Sequence, residues 1–208
     1  MSETLKKYGE KLSPYRDIII FVVSMLGANV LWKLTIAGDE NGTGVTFLGL
    51  DITAPFDFMA VWIAHRSCWW LDLFRDNVYL VSKHIFGFFN GTLTLFDDVR
   101  ISVVWGCTGI KQSFIWLIIM LFARGSMEGE KWSFWNKHKL WFIPLGWVCI
   151  YVFNVFRSVM IALLIENHRE MFDFWHTYIF KYAFYAMLFM LWVWWIESIV
   201  KKPKEINN

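Results

Sequence analysis

The stretch that decides the fold is LWFIPLGWVCIYVFNVFRSVMIALLI, residues 140–165, in which Arg157 is the only charged residue. An α-helix rises 1.5 Å per residue, so about 20 mostly apolar residues cross the roughly 30 Å hydrocarbon layer of a membrane. The 26 residues of this stretch exceed that length. The sequence therefore predicts a membrane-spanning helix that carries one charge inside it.

Three further segments have the same apolar character, namely residues 18–37, 108–123 and 177–200. The first contains Lys33 and the last contains Lys181 near its start, whereas the middle one is short but follows other apolar residues. We therefore expect an all-α integral membrane bundle with at least four spanning helices. Without repeats or linkers, the chain is interpreted as a single domain.

The composition agrees with a membrane protein and excludes several other classes. Of the 208 residues, 57% are hydrophobic, 20% aromatic and 18% charged, whereas soluble domains usually carry about 25% charged residues. Such apolar content excludes intrinsic disorder, and three cysteines are too few for a disulfide scaffold. The formal net charge is +2 and the basic residues lie in small groups, so no nucleic acid is expected as a partner. The apolar content makes membrane lipid the expected partner.

The distribution of lysine and arginine predicts the orientation of the spans. Basic residues are frequent in residues 1–17, 124–139 and 201–208, whereas residues 38–55 have none and residues 166–176 have one. Because short cytoplasmic loops are enriched in Lys and Arg, both termini are predicted to be cytoplasmic. The result is a multi-pass protein of the cytoplasmic (inner) membrane, with residues 38–55 and 166–176 facing outward.

The region between the first two predicted spans is harder to interpret. Residues 56–90 mix charges with aromatic side chains, and both their ends are predicted to lie outside. We expect amphipathic helices in the outer interface, with a helical hairpin that turns near residues 75–77 as the alternative. Residues 90–105 alternate polar and apolar side chains, which predicts a short β-hairpin on the outer face.

The side chains that could perform chemistry are predicted to meet at the outer side. Cys107 lies between Gly106 and Thr108 at the start of a span, where a helix N-terminus and the nearby Lys111 favour a thiolate. Arg157 lies in the outer part of its span, and His176 begins the last one. A cysteine, a histidine and an arginine supply a nucleophile, a general acid/base and an oxyanion stabiliser.

Other interpretations of these residues stay open at this point. A free cysteine is most often a small buried hydrophobe, and Arg157 could be a structural charge that reaches toward the membrane surface. His168 competes with His176 because both lie on the same predicted outward loop. Asn154 lies three residues before Arg157, so both side chains are expected on one helical face.

Three short motifs in this order resemble the exosortase/archaeosortase family of membrane protein-sorting transpeptidases. They are WGCTGI at residues 105–110, NVFR at residues 154–157 and FWH at residues 174–176. The separation of 19 residues between Arg157 and His176 matches the family pattern and selects His176 over His168. The resemblance makes residues 91–200 an exosortase-like catalytic core, preceded by residues 1–90 and followed by a basic tail at residues 201–208, in a compact member of the family.

The resemblance implies a membrane cysteine transpeptidase or peptidase that cleaves C-terminal sorting signals of secreted proteins. Such a signal consists of a short motif, a transmembrane helix and a basic end. Cys107 would attack the scissile carbonyl and form a thioester, Arg157 would stabilise the oxyanion and His176 would protonate the leaving amine. Asn154 would orient Arg157 or the substrate backbone, and an unknown acceptor nucleophile would release the product. Neither a cofactor nor a metal is expected.

Two alternatives to this function remain. One is an intramembrane cysteine protease that only cleaves, for which the same three residues would serve. The other is a non-enzymatic partner in envelope or polysaccharide export, for which Cys107 would be dispensable. A transporter is disfavoured because the spans show no inverted repeat, and a metal site is disfavoured because the histidines lack a short ligand spacing.

Overall fold

The computed structural model describes residues 15–38, 44–73, 79–85, 88–94, 100–103, 105–123, 137–167 and 169–200. Helices predominate in this part of the chain. The α-helices are α1 (Arg16–Thr35), α2 (Thr53–Asp72), α3 (Ile110–Phe122), α4 (Lys137–Asn167) and α5 (Phe180–Trp195). Shorter helical elements are the 3-10 turns Trp105–Cys107 and Arg169–Met171 and the π-helices Phe174–Ile179 and Ile196–Val200.

Three helical stretches are long and apolar enough to cross a membrane, namely Arg16–Thr35, His138–Leu164 and Phe174–Ile199. They coincide with three of the four predicted spans, which confirms a mostly helical chain with three candidate membrane-spanning helices. The remaining predicted span contains α3, whose 13 residues extend only about 20 Å at 1.5 Å per residue. Because this is shorter than the hydrocarbon layer, the fourth span stays a prediction, as does the orientation of the bundle.

The main core is formed where α1, α3, α4 and α5 pack together. Trp116 of α3 is fully buried in it, and its indole Nε1 donates to the carbonyl of Ile143 on α4 at 3.3 Å. The ring occupies the space above Gly146, where an added Cβ would collide with it. A small residue on α4 thus lets the two helices approach closely. Other buried members of this core are Phe21, Phe142, Phe184, Leu188 and Trp195.

A buried lysine joins the end of α3 to the start of α4. The ammonium of Lys139 donates to the carbonyls of Ala123 at 2.7 Å and Leu121 at 3.3 Å. Carbonyls at a helix C-terminus have no partner within the helix and carry partial negative charge. Lys139 therefore completes the hydrogen bonding of α3 from the neighbouring helix.

Two antiparallel sheets accompany the helices. The first has the order β1–β2–β3 and the second the order β4–β5–β6. Their strands are β1 (Ile36–Gly38), β2 (Val45–Phe47), β3 (Leu50–Asp51), β4 (Tyr79–Ile85), β5 (Phe88–Thr94) and β6 (Arg100–Val103).

The first sheet connects α1 to α2. Strands β2 and β3 lie where the sequence indicates only a loop, whereas β1 begins within the predicted span of residues 18–37. Asp51 accepts hydrogen bonds from the Thr53 amide at 2.8 Å and the Thr53 hydroxyl at 2.6 Å. These bonds hold the pKa of the Asp51 carboxyl below its usual range. The Thr53 hydroxyl also accepts from the amide of Val45 at 2.9 Å. A single threonine thus joins the strands to the first turn of α2.

The second sheet corrects the prediction for residues 56–90. Helix α2 occupies the first part of that stretch, but residues 79–85 form strand β4 and the stretch ends in strand β5. The helical hairpin is also wrong, since its second leg would fall on β4. Tyr, Val, Ile, Phe and Thr are frequent in these strands, and such residues favour β-structure.

Part of the second sheet lies in the stretch for which a hairpin is predicted, residues 90–105. There, β5 and β6 pair antiparallel, with a register from Gly91 opposite Val103 to Thr94 opposite Arg100. The sheet also includes β4, and α2 packs against it, mainly on β5. The outward position of this region stays a prediction.

The basic flanks at residues 1–14, 124–136 and 201–208 lie outside the described residues. The division of the chain into three parts stays a prediction.

Candidate active site

The structure brings Cys107 and His176 together from positions 69 residues apart. The Cys107 sulfur lies 3.6 Å from Nε2 of the His176 ring, within hydrogen-bonding reach of a sulfur. Cys107 ends the 3-10 turn before α3, and His176 lies on the π-helix before α5. A thiol in contact with an imidazole is the arrangement that activates a cysteine nucleophile.

The turn that carries Cys107 is held by its own hydrogen bonds. The Thr108 hydroxyl donates to the Trp105 carbonyl at 2.7 Å, and the Thr108 amide donates to the same oxygen at 3.3 Å. Gly109 then takes a φ of +77°, which glycine adopts without strain. The Gly109 carbonyl accepts from the Ser113 amide at 2.8 Å, and α3 begins there. The sequence WGCTGI thus places a rigid turn in front of the helix.

Gly109 is also the point where this turn rests on α4. A Cβ at Gly109 would collide with the amide of Asn154 and lie 3.1 Å from the Ile150 side chain. Asn154 is buried, and its Nδ2 donates to the Ile150 carbonyl at 2.9 Å. Its Oδ1 has no hydrogen-bond partner among the described residues. The structure therefore places Asn154 beneath the cysteine turn, and its predicted role in orienting Arg157 or the substrate stays a prediction.

We expect Gly109→Ala to destabilise the protein by about 1–3 kcal/mol, because it combines an unfavourable φ with a steric collision. Gly106→Ala is the matched control, since nothing lies within 4 Å of a Cβ added there. The measurement is thermal unfolding of both purified variants in the same detergent. Equal melting temperatures would show that Asn154 does not restrain Gly109 in this way.

Cys107 also contacts helix α2, which lies before the three sequence motifs in the chain. Cys107 packs on a buried cluster that includes Ala60, Ile63 and Ala64 of α2 and Val155 of α4. Trp105 makes an edge-to-face contact with Phe56 of α2, with ring centroids 6.4 Å apart. Helix α2 is thus part of the support for Cys107, although the family resemblance covers only residues 91–200.

His176 is oriented by an aromatic neighbour and by an unusual backbone. Its ring stacks on Phe172, with centroids 5.1 Å apart and an interplanar angle of 23°. The π-helix Phe174–Ile179 widens the first turns of the last span, and such helices are frequent at functional sites. The sequence does not indicate this helix type. The competing His168 lies outside the described residues.

Arg157 reaches the same site from α4. Arg157 and His176 both line a cavity of about 480 Å³, and the positive charge of Arg157 acts on the His176 ring. Trp105 and Gly106, which directly precede Cys107, line the cavity as well. The cavity thus adjoins the turn that carries Cys107 and has both Arg157 and His176 in its lining.

The other two cysteines have different surroundings. Cys68 lies on α2, where burial and the nearby Asp72 raise the pKa of its thiol, so it is less easily ionised. Cys149 is half-buried on α4, within an apolar stretch. Cys107 is therefore the best placed of the three for nucleophilic chemistry.

Several residues that line the cavity are absent from the predicted site. They include Trp32 and Lys33 of α1, Lys111 and Gln112 of α3, and Lys181 of α5. The available signal was the presence of lysines within apolar segments, because such charges are costly in a membrane and usually functional. Their convergence on one cavity depends on helix rotation and is visible only in the structure.

Comparison of the chain with protein-family models, with curated proteins and with solved structures finds no match. The described residues also contain no group of three or more His, Cys, Asp or Glu side chains that could hold a metal ion. The contact of Cys107 with His176 and the position of Arg157 in the cavity are therefore what indicates the chemistry of the site.

Proposed function

We propose that this chain is a membrane-embedded cysteine transpeptidase or peptidase of the exosortase/archaeosortase type. Its substrates are secreted proteins with a C-terminal sorting signal. The observation that carries the proposal is the 3.6 Å contact between the Cys107 sulfur and His176 Nε2. Arg157 supports it, since this cation lines the same cavity as His176.

In the first half of the reaction, His176 Nε2 takes the proton of the Cys107 thiol. The sulfur then bonds to the scissile carbonyl carbon, and the carbonyl electrons move onto oxygen. Arg157 stabilises this oxyanion, because a fixed positive charge in a site of low dielectric constant acts strongly on developing negative charge. When the carbon–nitrogen bond breaks, the imidazolium gives its proton to the leaving amine. The product is a thioester on Cys107.

In the second half, an acceptor carrying an N–H or O–H group enters where the amine left. His176 removes the proton of the acceptor, which attacks the thioester carbonyl and displaces the Cys107 sulfur. The sulfur leaves as a thiolate and recovers its proton from the imidazolium. Water as the acceptor gives hydrolysis, so transfer and simple cleavage use the same side chains.

The depth of the site suits a substrate that is itself anchored in the membrane. Arg157 precedes the end of its candidate span, Leu164, by seven residues, which is about 10 Å along the helix. His176 lies two residues after Phe174, at the beginning of the next candidate span. A cleavage motif just outside a transmembrane helix would be at this level when that helix lies beside the bundle.

Hydroxylamine tests the proposal without knowledge of the substrate, because it attacks thioesters and leaves a hydroxamate on the released acyl group. We expect hydroxylamine treatment of membranes from the source organism to release proteins that carry a C-terminal hydroxamate, identified by mass spectrometry. Membranes with Cys149→Ala should give the same products, and membranes with Cys107→Ala should give none. Absence of hydroxamates in all three, or their persistence with Cys107→Ala, would contradict a thioester on Cys107 and favour the non-enzymatic alternative.

A further inference from the structure

Four basic side chains line the cavity, and each comes from a different helix. They are Lys33 of α1, Lys111 of α3, Arg157 of α4 and Lys181 of α5. None of the described residues that line the cavity is an aspartate or glutamate. The nearby Asp173 acts on His176 but does not belong to the lining. The three lysines therefore give the cavity positive charge that the proposed peptide chemistry does not require.

The three lysines lie at the same end of the helix bundle. Lys33 precedes the last residue of α1 by two positions, Lys111 is the second residue of α3, and Lys181 is the second residue of α5. They are close enough for the charges of Lys33 and Lys181 to act on Lys111. Like charges gathered beside apolar surface are unfavourable, so a bound anion would offset a real electrostatic cost.

We propose that this cavity binds a phosphate-bearing ligand. Lys33, Lys111 and Lys181 bind the phosphate oxygens. A phosphate offers several acceptor oxygens to cations that approach from different helices, which a single carboxylate does less well. The lysines lie near the ends of apolar helices, the level at which lipid head groups lie, and basic pockets between membrane helices bind anionic head groups. This proposal does not rest on the cysteine chemistry, and the ligand would share its cavity with Arg157 and His176.

Native mass spectrometry of the purified protein in a neutral detergent tests the proposal with three probes. Dioctanoyl phosphatidylglycerol carries both a phosphate and acyl chains, dioctanoylglycerol lacks the phosphate, and glycerol 3-phosphate lacks the acyl chains. We expect the phospholipid to bind at least tenfold more tightly than dioctanoylglycerol. Binding of glycerol 3-phosphate as well would identify a free phosphate ester as a sufficient ligand, and its failure to bind would identify a lipid head group. Equal binding of the phospholipid and dioctanoylglycerol would overturn the proposal.

Variants locate the binding to this cavity. Lys111→Gln should weaken phospholipid binding at least tenfold, whereas Lys111→Arg should retain it. Arg16→Gln is the matched control, because it removes one positive charge at the opposite end of α1 and should leave binding unchanged. If Lys111→Gln fails to fold, Lys181→Gln replaces it, since Lys181 is more exposed. Equal affinities of the glutamine variant and the Arg16→Gln control would contradict the assignment of the ligand to this site.

Discussion

Replacing Cys107 by alanine is expected to stop processing of the sorting signal, so that the uncleaved substrate accumulates in the membrane. The sulfur at 3.6 Å from His176 is the proposed nucleophile, and the described residues that line the cavity include no cysteine that could replace it. Removal of the nucleophile of a catalytic unit lowers turnover by about 10³-fold or more. The measurement is a pulse-chase of a substrate identified through its C-terminal hydroxamate, with full-length and cleaved forms resolved by electrophoresis.

Cys149→Ala is the control for this experiment, because Cys149 is a half-buried cysteine on α4. It should process the substrate at the wild-type rate. Detection of both variants in the membrane fraction at equal amounts shows that insertion is unaffected. The assignment is wrong if Cys149 proves essential while Cys107 is dispensable.

Replacing His176 by alanine is expected to lower turnover by about 10²- to 10⁴-fold, the range of a positioned general acid/base. The same change should slow alkylation of Cys107 by iodoacetamide, because the proton acceptor beside the thiol is lost. Alkylation needs no substrate, so it isolates the activation of the thiol from substrate binding. The measurement is the rate of carbamidomethyl incorporation at Cys107, followed by peptide mass spectrometry.

His65→Ala serves as the control, since His65 is an exposed histidine on α2. It should alter neither turnover nor the alkylation rate. If iodoacetamide alkylates Cys107 in the His176→Ala variant as fast as in the wild type, the contact between the two side chains has no part in activating the thiol. A loss of turnover with unchanged alkylation would then restrict His176 to protonating the leaving amine.

The helices could be predicted from the sequence to the extent that hydrophobicity alone decides them. Arg16–Thr35, His138–Leu164 and Phe174–Ile199 are long apolar runs, and long runs cannot be strands or loops in a membrane. Strand β4 was missed because short stretches of mixed polarity have no unique period, whereas most of β5 lies within the stretch for which a hairpin is predicted. The pairing of β4 with β5 and of β5 with β6, together with the packing of α2 on β5, is non-local information.

The meeting of Cys107 and His176 could be predicted because helix ends on one side of a membrane lie at one level. The details that make the site precise could not be predicted in this way. They depend on the π-helix under His176, the contact between Gly109 and Asn154, and the rotation that turns Lys33 toward the cavity. Each of these follows from the packing of two or more helices, on which a single sequence carries little information.

Helix α4 contacts both ends of α3, so the spacing of these contacts on α4 must match the length of α3. Asn154 meets Gly109 in front of α3, and Lys139 holds the carbonyl of Ala123 behind it. The 15 residues from Lys139 to Asn154 and the 14 residues from Gly109 to Ala123 both measure about 21–23 Å at 1.5 Å per residue. Contacts with α4 therefore fix the position of the cysteine turn along the bundle. A residue inserted between the two contact points of one helix would misalign these contacts unless the other helix gained a residue as well.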